Sequence, residues 1–440
     1  MTNCDDHGLP LSTRSETAAE RYRAGLLLML SAWPGGGEEL ERAIAADPGF
    51  ALAWAALARL RTIQARPAEA KAAIASAVDL VARHGTERER SHVAVLDAAI
   101  AGRTPQARDL ALAHADRWPR DVLVLGMLLG PFGLLAFSGM AGHNQALVDL
   151  CARHAGHFDA DDWWFLTYHG WALAENGEAR RGRSMLERAL AVRRENASGV
   201  HALAHAMHEG GAGEDVVSLV DSWLPGYGRE GVLHGHLTWH AALVALERDD
   251  VPTALRLYEA RVRPTATLGM PINVISDGAS FLWRLGAYGH DVPAALWQEL
   301  HAYAVAKYPE AVGHGFIDAH MAIIEAFTRD REALERRART LAEMAAAGTL
   351  AAGPVVPAIA RAAQAFAEGA YGECARVLEP VAGDVSRIGG SGAQREMLEE
   401  MLLLAYMRGG EAGKARALLD RRLHRRPSPR DARWRGQLVG

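Results

Sequence analysis

Gly170-Trp171-Ala172-Leu173-Ala174-Glu175-Asn176-Gly177-Glu178 ends one helical pattern in an Asn-Gly turn, and the amphipathic stretch from Gly182 to Arg193 follows it as a partner helix. The same unit recurs outward in both directions. Leu237 to Glu247 leads through Arg248-Asp249-Asp250 into Val251 to Val262, with Ala242 and Ala254 at small-residue positions where paired helices approach closely. Ile359 to Glu368 turns at Gly369-Ala370-Tyr371-Gly372 into Glu373 to Leu378. Each hairpin exposes an apolar face that only a neighbour can cover, so the pattern predicts an all-α solenoid of tetratricopeptide-like helical hairpins. A solenoid grows by adding repeats, so one domain over 1-440 is expected, with 1-15 a flexible N-terminus and 426-440 a frayed C-terminus.

Composition agrees. Hydrophobic residues make up 49% of the chain and aromatics 7%. The apolar share leans on Ala and Leu, which lose little on entering a helix. Lys and Arg number 48 against 53 Asp and Glu, a formal net charge of -5, so no large positive field favours nucleic acid or anionic lipid. Cys4, Cys151 and Cys374 are far apart and lack CxxC spacing, which indicates neither a disulfide framework nor a thiolate metal site. The polar start MTNCDDHGLPLSTRSETAAERYR does not read as a secretory signal. The most apolar stretch, Val122 to Phe137, is broken by Gly126, Gly130, Pro131 and Gly133, so no membrane span is expected and a cytoplasmic location is.

Several separated stretches resemble the tetratricopeptide repeat protein 38 family and its bacterial relatives. They are Arg42-Ala43-Ile44-Ala45-Ala46-Asp47-Pro48, Arg88 to Val93, Val200 to Glu209, Trp239-His240, and Ile388-Gly389-Gly390-Ser391-Gly392-Ala393-Gln394-Arg395. The resemblance implies an α-helical repeat fold and little about activity. The Gly/Pro-rich, apolar Leu128 to Gly139 region departs from it.

The chemistry-bearing pattern is histidine. His201, His205 and His208 fall within roughly 60° of one another on a helix, a stripe separate from apolar Val200, Leu203, Ala204 and Met207. His236 and His240 sit i, i+4 on the first helix of the next hairpin. First helices of successive hairpins stack side by side, so five imidazoles are expected to face one concave region. Imidazoles so spaced can hold a divalent ion, zinc, iron or manganese, with carboxylate help from Glu209, Asp277 or Asp318. Glu89 and His92 form a Glu-x-x-His pair, a further metal candidate, although Glu87-Arg88-Glu89-Arg90 equally fits a charged helix start. Asp277 follows Ser276 and also suits a helix start. Ser391 and Gln394 have capping-box spacing; with Arg395, they alternatively hold a cofactor carboxylate or phosphate at a helix N-terminus.

Two functions follow. One is an enzyme or binder for a small polar metabolite, with His201, His205, His236, Asp277 and His320 as catalytic candidates and His201, His205, His208, His240, Glu89 and His92 as metal candidates. The other is a scaffold binding a peptide or protein partner. A scaffold groove is expected to be rich in Lys, Arg and Asn, and an enzyme pocket to be lined by the histidines.

Overall fold

The computed structural model describes residues 3–308 and 312–438. Twenty-three α-helices and short 3-10 or π turns make up the secondary structure of the described residues, and the one β feature among them is an isolated bridge between Cys4 and Pro10. No described helix is long and apolar enough to cross a membrane. The fold is an all-α solenoid of helical hairpins. Contacts divide the chain into two units: Met1–Leu135, Asn144–Leu173 and Arg181–Leu203 form the first, Ala136–His143, Ala174–Arg180 and Ala204–Gly440 the second. The helices Trp163–Glu175 and Ala197–Glu209 each begin in the first unit and end in the second.

In the first unit, Glu16–Leu30 pairs with Gly36–Ala46, Ala51–Ile63 with Pro67–His84, and Glu87–Ile100 with Thr104–Arg117. In the second, His234–Glu247 pairs with Val251–Leu257, Pro271–Ala287 with Ala294–Lys307, Gly315–Thr328 with Arg331–Ala346, and Gly392–Arg408 with Ala412–Arg425. The first helices also pack on one another in series, His234–Glu247 on Pro271–Ala287, that on Gly315–Thr328, and that on Val355–Ala367. This one-on, one-skipped contact pattern defines stacked hairpins.

Glycine sets how closely the paired helices approach. A Cβ at Gly170 would lie 2.7 Å from Leu186 Cγ and 3.0 Å from the Gly182 carbonyl, and one at Gly278 would lie 2.8 Å from Leu300 Cδ1. The expected turns are present. Gly177 has φ 90, Gly369 φ 76 and Asp249 φ 69, and the Asp250 side chain accepts from the Thr253 N–H to start the following helix. That helix widens into a π turn over Tyr258–Val262, where an unbroken α-helix was expected.

Arg23 donates to the Cys4 carbonyl at 2.9 Å and Arg88 to the Pro10 carbonyl at 2.7 Å, so residues 3–15 pack within the first unit. The basic tail from Arg421 to Arg435, where the sequence suggests a solvated last helix with a frayed end, covers the end of the helix Ala412–Arg425 and most of the helix Pro429–Gln437. Its Arg422, Arg426 and Arg430 are buried. Arg422 bonds Asp431 at 2.7 Å and Glu396 at 2.8 Å, Arg426 bonds Glu396 at 2.6 Å, and Arg430 bonds Glu400 and Asp431, each at 2.7 Å. Carboxylates three and four residues apart on Gly392–Arg408 receive cations spaced by four on the tail.

Candidate functional site

In the second unit, His205 near the end of the Ala197–Glu209 helix meets His236 and His240 from the His234–Glu247 helix. The His205 and His240 rings are 4.4 Å apart edge to face, and those of His236 and His240 are 4.9 Å apart. All three are buried, with 0%, 4% and 2% exposure. Each offers a ring nitrogen within 4.8 Å of those of the other two. The i, i+4 spacing of His236 and His240 puts both rings on one side of their helix. Trp239 stacks beside His236 at 5.1 Å and donates its indole N–H to Ser280 Oγ at 3.2 Å, which fixes that face of the helix.

A buried carboxylate holds the His236 ring, and a second stands near His205. His236 Nδ1 bonds Asp277 Oδ2 at 2.7 Å, and Ser276 donates to the same carboxylate at 3.3 Å. Burial raises the pKa of Asp277 and the neighbouring His236 opposes the shift. His205 Nδ1 stands 3.3 Å from Glu175 Oε1. Glu175 Oε2 accepts the Gly392 N–H at 2.7 Å, at the start of the Gly392–Arg408 helix. Burial, reinforced by the Glu209 carboxylate, pushes Glu175 up to about 7 against the pull of Arg395.

Of the other candidates, His208, His320, Asp318, Ser391, Gln394 and Arg395 go elsewhere. His201 belongs to the first unit and stacks on Trp171 at 5.5 Å. His208 Nε2 lies 3.3 Å from Glu396 Oε2. His320 Nδ1 donates to the Phe316 carbonyl of its own helix at 2.7 Å, and burial lowers its pKa to about 4. Asp318 is committed to Arg337 at 2.5 Å. Ser391 and Gln394 form the capping box of Gly392–Arg408, and Gln394 also donates to Ser276 Oγ at 3.3 Å. Arg395 donates to the Gly389 and Gly390 carbonyls.

Glu89 and His92 share a helical face but not a partner. Glu89 closes a capping box with Thr86 and accepts the Ser12 N–H at 3.2 Å. His92 Nδ1 lies 3.0 Å from Asp121, which also takes Arg88 at 2.7 Å and His114 Nε2 at 3.2 Å. These cationic and imidazole neighbours hold Asp121 well below its ordinary value against the opposing effect of burial. Arg88 thus places a positive charge beside this His–His–Asp group, whose ligand atoms lie within 4.8 Å of one another. Asp121, His114, Glu175 and Glu396 escaped sequence reasoning, since each partner is brought in by tertiary packing from 20 or more residues away.

A cleft of about 480 Å³ opens in the second unit, lined by Arg421, Arg425, Arg426, Leu398, Leu402 and Leu418 among others. Glu175 and Arg395 also line it, whereas none of the five histidines does.

No protein-family model matches the chain. Among solved structures it is similar to Naa15/Naa10 bound to HypK-THB, at 12% identity and a TM-score of 0.25 over 93% of this chain. This chain spans 63% of the length of that one. It is also similar to the TPR domain of P58(IPK), at 14% identity and a TM-score of 0.21, over 90% of this chain and 99% of that one.

Proposed function

We propose that the chain is a helical-hairpin scaffold whose second unit binds a peptide segment of a protein partner, one bearing both acidic and apolar side chains. The observation that carries this reading is the lining of the cleft, where arginine heads stand beside leucine side chains and Glu175, Glu209, Glu396 and Glu399, Arg425 pairing with Glu399 at 2.7 Å while Arg421 stays exposed, and the histidines lie buried away from it. A guanidinium fork engages a carboxylate through paired charge-assisted bonds, and adjacent leucines cover an apolar side chain. Arg421 and Arg425 are the exposed cations of the lining. An immobilised peptide array probed with the full chain tests it. Bound peptides are expected to combine Asp or Glu with Leu or Phe, and Arg421→Glu with Arg425→Glu to weaken binding at least about tenfold. Binding that is indifferent to this charge reversal overturns the reading.

A second reading, metal-assisted chemistry on a small polar metabolite, is favoured by Glu175. This residue lines the cleft and its Oε1 stands 3.3 Å from His205, so one side chain joins the open space to the imidazole group. Under this reading Glu175→Gln abolishes turnover in a screen of small esters, amides and phosphate esters while peptide binding persists. Turnover that survives Glu175→Gln and His205→Ala removes it.

A further inference from the structure

We propose that His205, His236 and His240 bind one divalent metal ion of the zinc class, with Asp277 and Glu175 as the carboxylates that orient the rings. Three imidazole nitrogens within 4.8 Å of one another are near the spacing a tetrahedral site needs. Metal–nitrogen bonds of about 2.0–2.1 Å place ligand nitrogens about 3.4 Å apart, so side-chain rotations of about an ångström close the set.

The hydrogen bonding prepares the rings for this task. A carboxylate can only accept, so the Asp277 contact at 2.7 Å makes His236 Nδ1 the donor and leaves the lone pair of the neutral ring on Nε2. Glu175 Oε1 stands 3.3 Å from His205 Nδ1, a second carboxylate beside the set. Carboxylate–imidazole–metal relays of this form fix the tautomer and raise ligand basicity. Thiolates take no part: Cys151 belongs to the other unit, and Cys374 is buried with its thiol pushed up to about 12. An all-nitrogen donor set with carboxylates behind it suits zinc better than magnesium or calcium, which prefer oxygen. In the first unit the His92–His114–Asp121 group differs in having the Arg88 guanidinium 2.7 Å from its carboxylate.

The test uses the full chain, stripped with a chelator and titrated calorimetrically with zinc alone. One ion per chain is expected, with binding weakened at least about 100-fold by His236→Ala or His240→Ala and about 10–100-fold by Asp277→Asn. Far-UV circular dichroism establishes whether each variant is folded. Because a variant can fail to fold, X-ray absorption at the zinc edge of the wild-type complex gives an independent readout, expected to show at least three imidazole nitrogens. Absence of stoichiometric binding to the wild type, fewer than three imidazoles at the edge, or folded alanine variants that bind like the wild type overturns the proposal. Peptide binding in the cleft is scored separately, so either result stands without the other.

Discussion

Replacing Arg422 by Met tests whether the basic tail is packed through buried ion pairs or solvated. Arg422 is 2% exposed and its guanidinium bonds Asp431 at 2.7 Å and Glu396 at 2.8 Å, with Glu400 Oε1 at 3.5 Å. Methionine keeps much of the side-chain length and removes the charge, so what is lost is compensation of buried carboxylates rather than volume. Breaking a buried ion pair from one side costs about 3–5 kcal/mol. Arg426 remains on Glu396 at 2.6 Å and Arg430 on Asp431 at 2.7 Å, so the lower end, about 3 kcal/mol, applies. For a unit of this size that corresponds to a fall in Tm of about 6–12 °C. Differential scanning calorimetry of the full chain measures it, with Arg421→Met as the control because Arg421 is an exposed neighbour. The control is expected within about 0.5 kcal/mol of wild type. Equal effects from the two substitutions refute the reasoning, because they mean that the tail is solvated.

Gly170→Val forces a side chain against Leu186 and the Gly182 carbonyl, and a destabilisation of about 1–3 kcal/mol in urea unfolding is expected. An unchanged midpoint contradicts the close helix approach. Asp121→Ala leaves Arg88 buried without its carboxylate, so the first unit should lose about 3–5 kcal/mol, read as an earlier calorimetric transition. Asp431 is held below its ordinary value of 3.8 by Arg430 and Arg422 against the opposing effect of burial. Its contribution is therefore complete above the unfolded value and lost as pH falls through the depressed one. Asp431→Asn should flatten the acid limb of the stability profile relative to wild type, and an identical limb counts against the pairing.

The hairpins were legible because helical periodicity and turn chemistry are local. Asn176-Gly177 and Gly369 turn as the sequence indicates, and His236 with His240 share a face because spacing alone places them. What spacing could not give is the partner of each side chain. His208 shares the stripe of His205, yet the two meet different carboxylates, Glu396 and Glu175, which lie 188 residues downstream and 30 residues upstream. His320 and Glu89 had attractive neighbours in sequence, but a carbonyl one turn back and a capping box use them. The tail misled for the same reason. Repeated arginine separated by proline is a solvated end unless acidic side chains wait for it, and Glu396, Glu400 and Asp431 do.

Those acidic partners also connect the two properties proposed for the second unit. Glu396 takes Arg422 and Arg426 from the tail and His208 from the Ala197–Glu209 helix, so one carboxylate ties the wall of the cleft to the helix that carries His205. Glu175 stands one turn away, accepting the Gly392 N–H with one oxygen while the other lies 3.3 Å from His205. Buried polar groups with partners on both sides resist rearrangement because releasing either partner leaves a charge without compensation. A ligand that pulls Arg426 or the Gly392 turn toward itself therefore acts on residues bonded directly to the histidine helix. The coupling has a definite sign check: if filling the cleft with peptide changes zinc affinity by some factor, zinc must change peptide affinity by that same factor. Titrating each ligand in the presence of the other measures it, and two independent affinities would show that Glu175 and Glu396 hold the fold without transmitting anything through it.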